Sequence, residues 1–242
     1  MEKCRINKYI ALCGVCSRRD ADSMIAEGRV IVNGETAKAG MKVSAEDIII
    51  ADGQIIRQPD GRKVIAYYKP IGVTCTERDE HADRIVTDEV ISDVRVTYAG
   101  RLDRDSEGLL IMTDDGDLIH EMMSAKNSHE KEYEVWIDHK VLNEDIIKLR
   151  SGIFLHDLEI KTKPCRVEVI TPKLLNIVLT QGVNRQIRRM LGECGYRVER
   201  LCRTRIMNVK LAKMSPGEQR DITGEELAEL YKECGLKGSQ NE

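Results

Sequence analysis

Gly100-Arg101-Leu102-Asp103-Arg104-Asp105-Ser106-Glu107-Gly108-Leu109-Leu110-Ile111-Met112-Thr113-Asp114-Asp115-Gly116 joins a charged loop to an apolar run and a turn. Leu109 to Met112 has the length and character of a buried strand, and Thr113-Asp114-Asp115-Gly116 closes it with turn-forming residues. Ahead of the strand, Asp103 lies between Arg101 and Arg104. Fixed positive charge beside an acid favours the ionised form, which suits a nucleophile or base working on an anionic substrate. Taken alone, such a pattern reads better as a turn with a surface ion pair. Its surroundings decide the reading.

The chain has 242 residues, 41% apolar and 33% charged, enough for a small domain joined to a medium one. No run of about eighteen apolar residues suggests a membrane span. Met1-Glu2-Lys3-Cys4-Arg5 lacks the apolar core of a signal peptide, so a cytoplasmic location is expected. Eight scattered cysteines are then expected as reduced thiols. Cys13 and Cys16 have metal-site spacing, but no second Cys/His pair accompanies them, and a packed helix junction explains them better. The net charge of −3 would argue against a nucleic-acid partner if it were uniform. It is not: residues 1–19 carry a local +4 and residues 185–205 a local +5, while residues 214–242 are acidic. Two basic patches on an acidic body fit a protein that grips phosphates at chosen places.

At the N-terminal end, Ile6, Tyr9, Ile10 and Cys13 fall at helical spacing and Gly14 ends the helix. Ser17 is an N-cap with Asp20 three residues on, opening a helix that buries Ala21, Met24 and Ile25. Val30-Ile31-Val32 then reads as a strand, and Asn33-Gly34 is a strong hairpin signal. The pattern predicts a domain over 1–54, a polar linker over 55–62, a second domain over 63–233 and a tail over 234–242. In the second domain, Val64 to Tyr68 reads as a strand running into the turn Lys69-Pro70-Ile71-Gly72. A polar loop around 76–84 and a short helix over 85–90 follow. Further strands are expected at 96–98, 133–137, 158–161, 165–170 and 174–180, with helices near 143–150, 184–194 and 223–233. Strands outnumber helices and connect mostly through short turns, which predicts an α+β fold with a mostly antiparallel sheet.

The segment around Gly100-Arg101-Leu102-Asp103 resembles the catalytic motif of the S4-domain ribosomal RNA pseudouridine synthases. The helix–helix–hairpin order with Ser17-Arg18-Arg19 and Val32-Asn33-Gly34 resembles their S4 RNA-binding module. Two further segments stand in the family's order: Lys131-Glu132-Tyr133-Glu134-Val135 and Asn184-Arg185-Gln186-Ile187-Arg188-Arg189-Met190. The stretch from Gln181 to Met190 with Arg203 to Val209 looks most like the family's F group, which acts on large-subunit ribosomal RNA, some members also on a tRNA anticodon.

The resemblance implies an enzyme that breaks the bond between a uridine's sugar and its base nitrogen and rejoins the base through carbon. No redox change or group donor is involved, so no cofactor is implied. Asp103 would be the catalytic carboxylate, Tyr133 the stacking aromatic and Arg188 the partner of the aspartate. Leu201 would pack against the reactive site. Arg185 and Arg189 would contact phosphate. Lys69 would support the site wall and touch substrate, and Arg101 would fill the gap left by the extruded uridine. Arg5, Lys8, Arg18 and Arg19 would hold RNA phosphate from the S4 domain. The expected partner is ribosomal RNA of the large subunit, with tRNA or small-subunit RNA as alternatives, and the protein is expected to be a monomer. A non-catalytic RNA-binding or ribosome-assembly protein of the same fold is the competing reading, but it needs no set such as Asp103, Tyr133 and Arg188.

Overall fold

The computed structural model describes residues 3–59, 61–76 and 82–236. In the N-terminal domain, helices Ile6–Leu12 and Arg18–Ala26 pack on a four-stranded sheet ordered Glu35–Thr36, Val30–Val32, Ile49–Ala51, Gln54–Ile56. Ser17 caps the second helix, its hydroxyl accepting from the Asp20 amide at 3.2 Å. Ile6, Ile10, Ala21, Ile25, Val30, Val43 and Ile49 form the shared core. Asn33 (φ +51°) and Gly34 (φ +89°) adopt the left-handed pair that a two-residue hairpin requires. The expected start of the linker at 55 falls inside the Gln54–Ile56 strand, which pairs with Ile49–Ala51. The polar composition of that segment conceals Ile55 and Ile56, which finish the small sheet.

The second domain is built on a sheet ordered Arg166–Thr171, Leu174–Leu179, Lys131–Ile137, Val198–Ile206, Glu107–Thr113, Val64–Lys69, Gln219–Asp221. Thr97–Ala99 adds to Glu107–Thr113, and Val209–Lys210 adds to Val198–Ile206. Every ladder among the described strands of this sheet is antiparallel except one: Val198–Ile206 runs parallel to Glu107–Thr113, with Cys202 opposite Glu107 and Arg203 opposite Gly108. That seam joins two antiparallel halves.

Side chains alternate across the sheet, so each half presents two faces. On one face a single core spans both halves, joining Val64, Ala66, Tyr68, Leu109, Ile111, Cys202 and Ile206 to Leu118, Leu230 and Tyr231 of helices Gly116–Met123 and Gly224–Glu233. On the other face the core is split. One cluster holds Val135, Leu175, Ile177, Leu179, Ile187 and Leu201; a second holds Ile65, Tyr67, Val73, Leu102, Leu110 and Met112. Tyr133 packs against both. The interval between the clusters, over the parallel seam, is where a cavity opens.

Three features depart from the sequence reading. The nine-residue strand Val198–Ile206 was expected only as a basic patch, because its arginines mask its alternation. Helix Gly116–Met123 follows the Thr113–Gly116 turn directly, with the Asp115 side chain accepting from the amides of Asp117 (2.9 Å) and Leu118 (3.1 Å). Of the expected tail, Cys234 and Leu236 pack on the large core instead of trailing from it. The polar loop expected over 76–84 lies largely outside the described residues, as do residues 237–242. All eight cysteines are free thiols. No helix among the described residues is long and apolar enough to cross a membrane.

Candidate active site

The loop from Gly100 to Ser106 precedes strand Glu107–Thr113 and is fixed at several points. Gly100 sits at φ +84°, where a Cβ would come within 2.7 Å of the Met123 sulfur. The Leu102 amide donates to the Cys75 thiol at 3.4 Å, and the Leu102 side chain is buried. The Gly72 amide donates to the Arg104 carbonyl at 2.8 Å, and the Ser106 amide closes on the Asp103 carbonyl at 3.1 Å. At the strand's start, Gly108 (φ +108°) lies so close to its parallel partner that a Cβ would meet the Arg203 carbonyl oxygen at 2.4 Å. Only glycine permits that approach.

This framework presents Asp103 to a cavity of about 390 Å³, with its side chain 30% exposed. Arg101, Asp103, Lys131, Tyr133, Arg185, Leu201 and Arg203 all line it. Of the residues expected at the site, the structure therefore brings together Asp103, Tyr133, Leu201, Arg101 and Arg185.

The arginine partnership differs from the expectation. Arg185, not Arg188, approaches the Asp103 carboxylate, Nη1 to Oδ2 at 3.6 Å. Arg185 also grips Asp105 through two hydrogen bonds of 3.0 and 2.8 Å, which hold the Asp105 carboxyl below the usual carboxylate range. It does so from a left-handed backbone, φ +51°, at the N-terminus of helix Gln186–Glu193. Arg188 lies one turn further along. Its guanidinium donates to the Asp105 carbonyl (2.9 Å), the Val198 carbonyl (3.1 Å) and the Ser106 hydroxyl (3.3 Å), and its Nε lies 3.4 Å from the Asp105 carboxylate. Arg188 thus braces the loop behind Asp103 instead of pairing with it.

Two other placements are corrected. Lys69 is fully enclosed and does not line the cavity; its ammonium donates to the carbonyls of Pro70 (3.0 Å) and Val73 (2.9 Å), and burial pushes it down to about 8. It stabilises the turn whose Gly72 holds the Arg104 carbonyl, so its support of the wall is indirect. Arg189 forms an ion pair with Asp157 and donates to the Asn184 carbonyl at 2.9 Å, so its charge is already matched within the protein. Arg101 is exposed at the mouth, and no ion pair engages its side chain among the described residues. Asp105, its most obvious neighbour in sequence, is taken by Arg185.

In the N-terminal domain, Arg5, Arg18 and Arg19 are exposed. Lys8 instead forms an ion pair with Asp117 of the second domain, at 2.7 Å. Three participants escaped the sequence reading. Asp105 was visible only as one more acid of the opening motif. Lys131 stands two residues before Tyr133 on one strand face, a spacing that could have flagged it. Arg203, only 2% exposed, donates from Nε to the Leu109 carbonyl at 2.7 Å and from Nη1 to the Arg101 carbonyl at 3.4 Å, spanning both ends of the loop.

The family model described as RNA pseudouridylate synthase matches residues 63–193, and the S4 domain model matches residues 4–49. The chain belongs to the RNA pseudouridine synthase family. Among relatives of this pseudouridine synthase, the dual-specificity RNA pseudouridine synthase RluF of Salmonella typhi is 43% identical over 98% of this chain and 81% of its own length. The protein of the same name from Escherichia coli strain K12 is 44% identical over 94% of this chain and 78% of its own. The ribosomal small subunit pseudouridine synthase A of Salmonella typhimurium is 34% identical, covering 93% and 99%. A solved pseudouridylate synthase structure superimposes with a TM-score of 0.68 at 27% identity, covering 95% of this pseudouridine synthase and 99% of the solved chain. The enzyme acts on RNA, and the S4 module precedes its synthase domain.

Proposed function

We propose that this pseudouridine synthase isomerises a specific uridine in large-subunit ribosomal RNA, with Asp103 as the catalytic carboxylate. The observation that carries the reading is the convergence of Asp103, Tyr133 and Leu201 on one cavity, with the Arg185 guanidinium 3.6 Å from the carboxylate. A uridine within folded RNA must leave its stack to reach such a cavity, at a cost of a few kcal/mol. Tyr133 offers a face for the extruded base, and Leu201 an apolar floor. The exposed Arg101 at the mouth is suited to the gap left in the RNA. Asp103 then acts on the sugar or the base to release the bond between them.

The choice of large-subunit RNA rests on the stretches Gln181 to Met190 and Arg203 to Val209 and on the likeness to proteins named dual-specificity RNA pseudouridine synthase. That name also favours a second RNA, for which a tRNA anticodon is our candidate. The enzyme works as a monomer in the cytoplasm, where ribosomal RNA is available to it.

The test maps pseudouridine in ribosomal RNA and tRNA treated with the purified protein and with Asp103→Asn. Pseudouridine at a defined large-subunit uridine from the wild type, and none from the variant with its RNA binding retained, is expected. An active variant would remove Asp103 from the chemistry. Modification confined to small-subunit RNA or tRNA would overturn the substrate assignment.

A further inference from the structure

The isomerisation makes a demand that Asp103 cannot meet. As the bond from the sugar C1′ to base N1 breaks, its electron pair leaves with the uracil. The base turns, C5 bonds to C1′, the C5 proton is lost and N1 gains one, so atoms and electrons balance without a redox partner. In the interval, negative charge lies on the detached base, spread over N1 and the two carbonyl oxygens. A cavity that already holds a carboxylate needs a cation on the side the base occupies.

We propose that Lys131 is that cation, contacting the uracil through its ammonium and stabilising the base while it is detached from the sugar. Lys131 opens the Lys131–Ile137 strand, and Tyr133 follows it on the same face. Both line the cavity with Asp103. An ammonium carries three donors, yet among the described residues the only hydrogen bond of Lys131 Nζ is to the His129 carbonyl, at 3.3 Å. No ion pair engages it among the described residues, although acids flank it in sequence. Glu130 is committed to Arg166 (3.0 Å) and Arg205 (2.9 Å), and Glu132 to Arg205 (2.6 Å) and Asn176 (2.8 Å). Those acids leave Lys131 its full charge toward the cavity.

Arg203 reinforces the field. It lines the same cavity, its Nη2 is buried with no hydrogen-bond partner among the described residues, and no carboxylate pairs with it there. Burial and the Arg203 charge together hold the Lys131 ammonium below the usual lysine range. A buried and a half-buried cation without counter-ions among the described residues call for an anion brought by the ligand. Arg203 is held by the Leu109 and Arg101 carbonyls, whereas Lys131 has donors to spare for the ligand. An RNA phosphate is the other candidate anion. The exposed Arg101 at the mouth serves the backbone better than the half-buried Lys131, which shares its wall with the base-stacking tyrosine.

This inference rests on the Asp103 site, so Asp103→Asn is assayed in parallel and fails or stands on its own result. Lys131→Gln and Lys131→Arg are compared with the wild type in the full chain, on an RNA that the wild type modifies. We expect kcat of Lys131→Gln to fall about 10²-fold, with KM within about twofold, and Lys131→Arg to recover most of the loss. Melting temperatures of the two variants, followed by circular dichroism, identify any loss that comes from unfolding; a comparably stable Lys131→Met replaces Lys131→Gln if that variant is unfolded. A raised KM at unchanged kcat would make Lys131 a phosphate contact and overturn the proposal. So would unchanged kinetics, or a loss in kcat that arginine fails to restore.

Discussion

At the scale of single residues, the site depends on charges whose partners are chosen with care. Asp105 absorbs Arg185 and Arg188, so the pair of acids in Asp103-Arg104-Asp105 divides into the carboxylate proposed to react and one that anchors the arginines. Lys69 shows the same economy in reverse, a buried cation satisfied by carbonyls alone. Its pH dependence follows directly. Folded, Lys69 titrates at about 8, against an ordinary value of 10.5, so between those values the unfolded chain holds a proton that the folded chain has released. This group therefore makes stability rise with pH across that window. Measured by urea unfolding at pH 7.5 and 10.5, the stability of wild type relative to Lys69→Met should increase by up to about 3 kcal/mol. A flat difference would show that Lys69 stays charged or that its burial is relieved. Asp103 and Tyr133 were legible in sequence because their neighbours form recognisable motifs. The identity of the arginine facing Asp103 was not, since Arg185 and Arg188 are one helical turn apart and only the left-handed backbone at Arg185 decides which reaches the carboxylate.

At the scale of elements, the parallel seam between Val198–Ile206 and Glu107–Thr113 is what brings the two halves of the site together. It sets Tyr133 and Leu201 on one side and the Asp103 loop on the other. Gly108 is the residue on which this close approach turns. A Cβ there would meet Arg203 backbone atoms at 2.4 and 2.5 Å, and the φ of +108° is unfavourable to any side chain. Gly108→Ala should cost about 3 kcal/mol or more through combined overlap and backbone strain, and lower kcat even where the chain still folds. Thermal unfolding with a parallel activity assay separates the two effects. Wild-type stability in the variant would mean that the seam can open without penalty. The apolar Leu109–Met112 run was readable from its composition, whereas Val198–Ile206 was hidden by three arginines, of which Arg203 and Arg205 are largely buried against partners far away in sequence. Long-range pairing of this kind leaves no local period to read.

At the scale of the whole molecule, the turn after strand Glu107–Thr113 ties together parts of the chain that are far apart in sequence. Asp114 accepts from the Lys63 amide at 2.7 Å and lies 3.5 Å from Arg62, fixing the end of the linker. Asp115 caps helix Gly116–Met123 and accepts from the Tyr231 hydroxyl at 2.7 Å, fixing the C-terminal helix. Asp117 holds Lys8 of the S4 domain. The basic edge of that domain is consequently divided: Lys8 is matched by protein, whereas Arg5, Arg18 and Arg19 are exposed. Each cation bound to phosphate releases counterions and steepens the dependence of affinity on salt. Replacing Arg18 and Arg19 together by alanine should reduce the slope of log affinity against log salt by about 1 to 2, whereas Lys8→Gln should leave it nearly unchanged, because Lys8 already has its counter-ion. Filter binding or fluorescence anisotropy across a salt series checks both. If Lys8→Gln flattens the slope as much as the arginine pair does, RNA displaces Asp117, and the contact between the domains is one that RNA binding breaks.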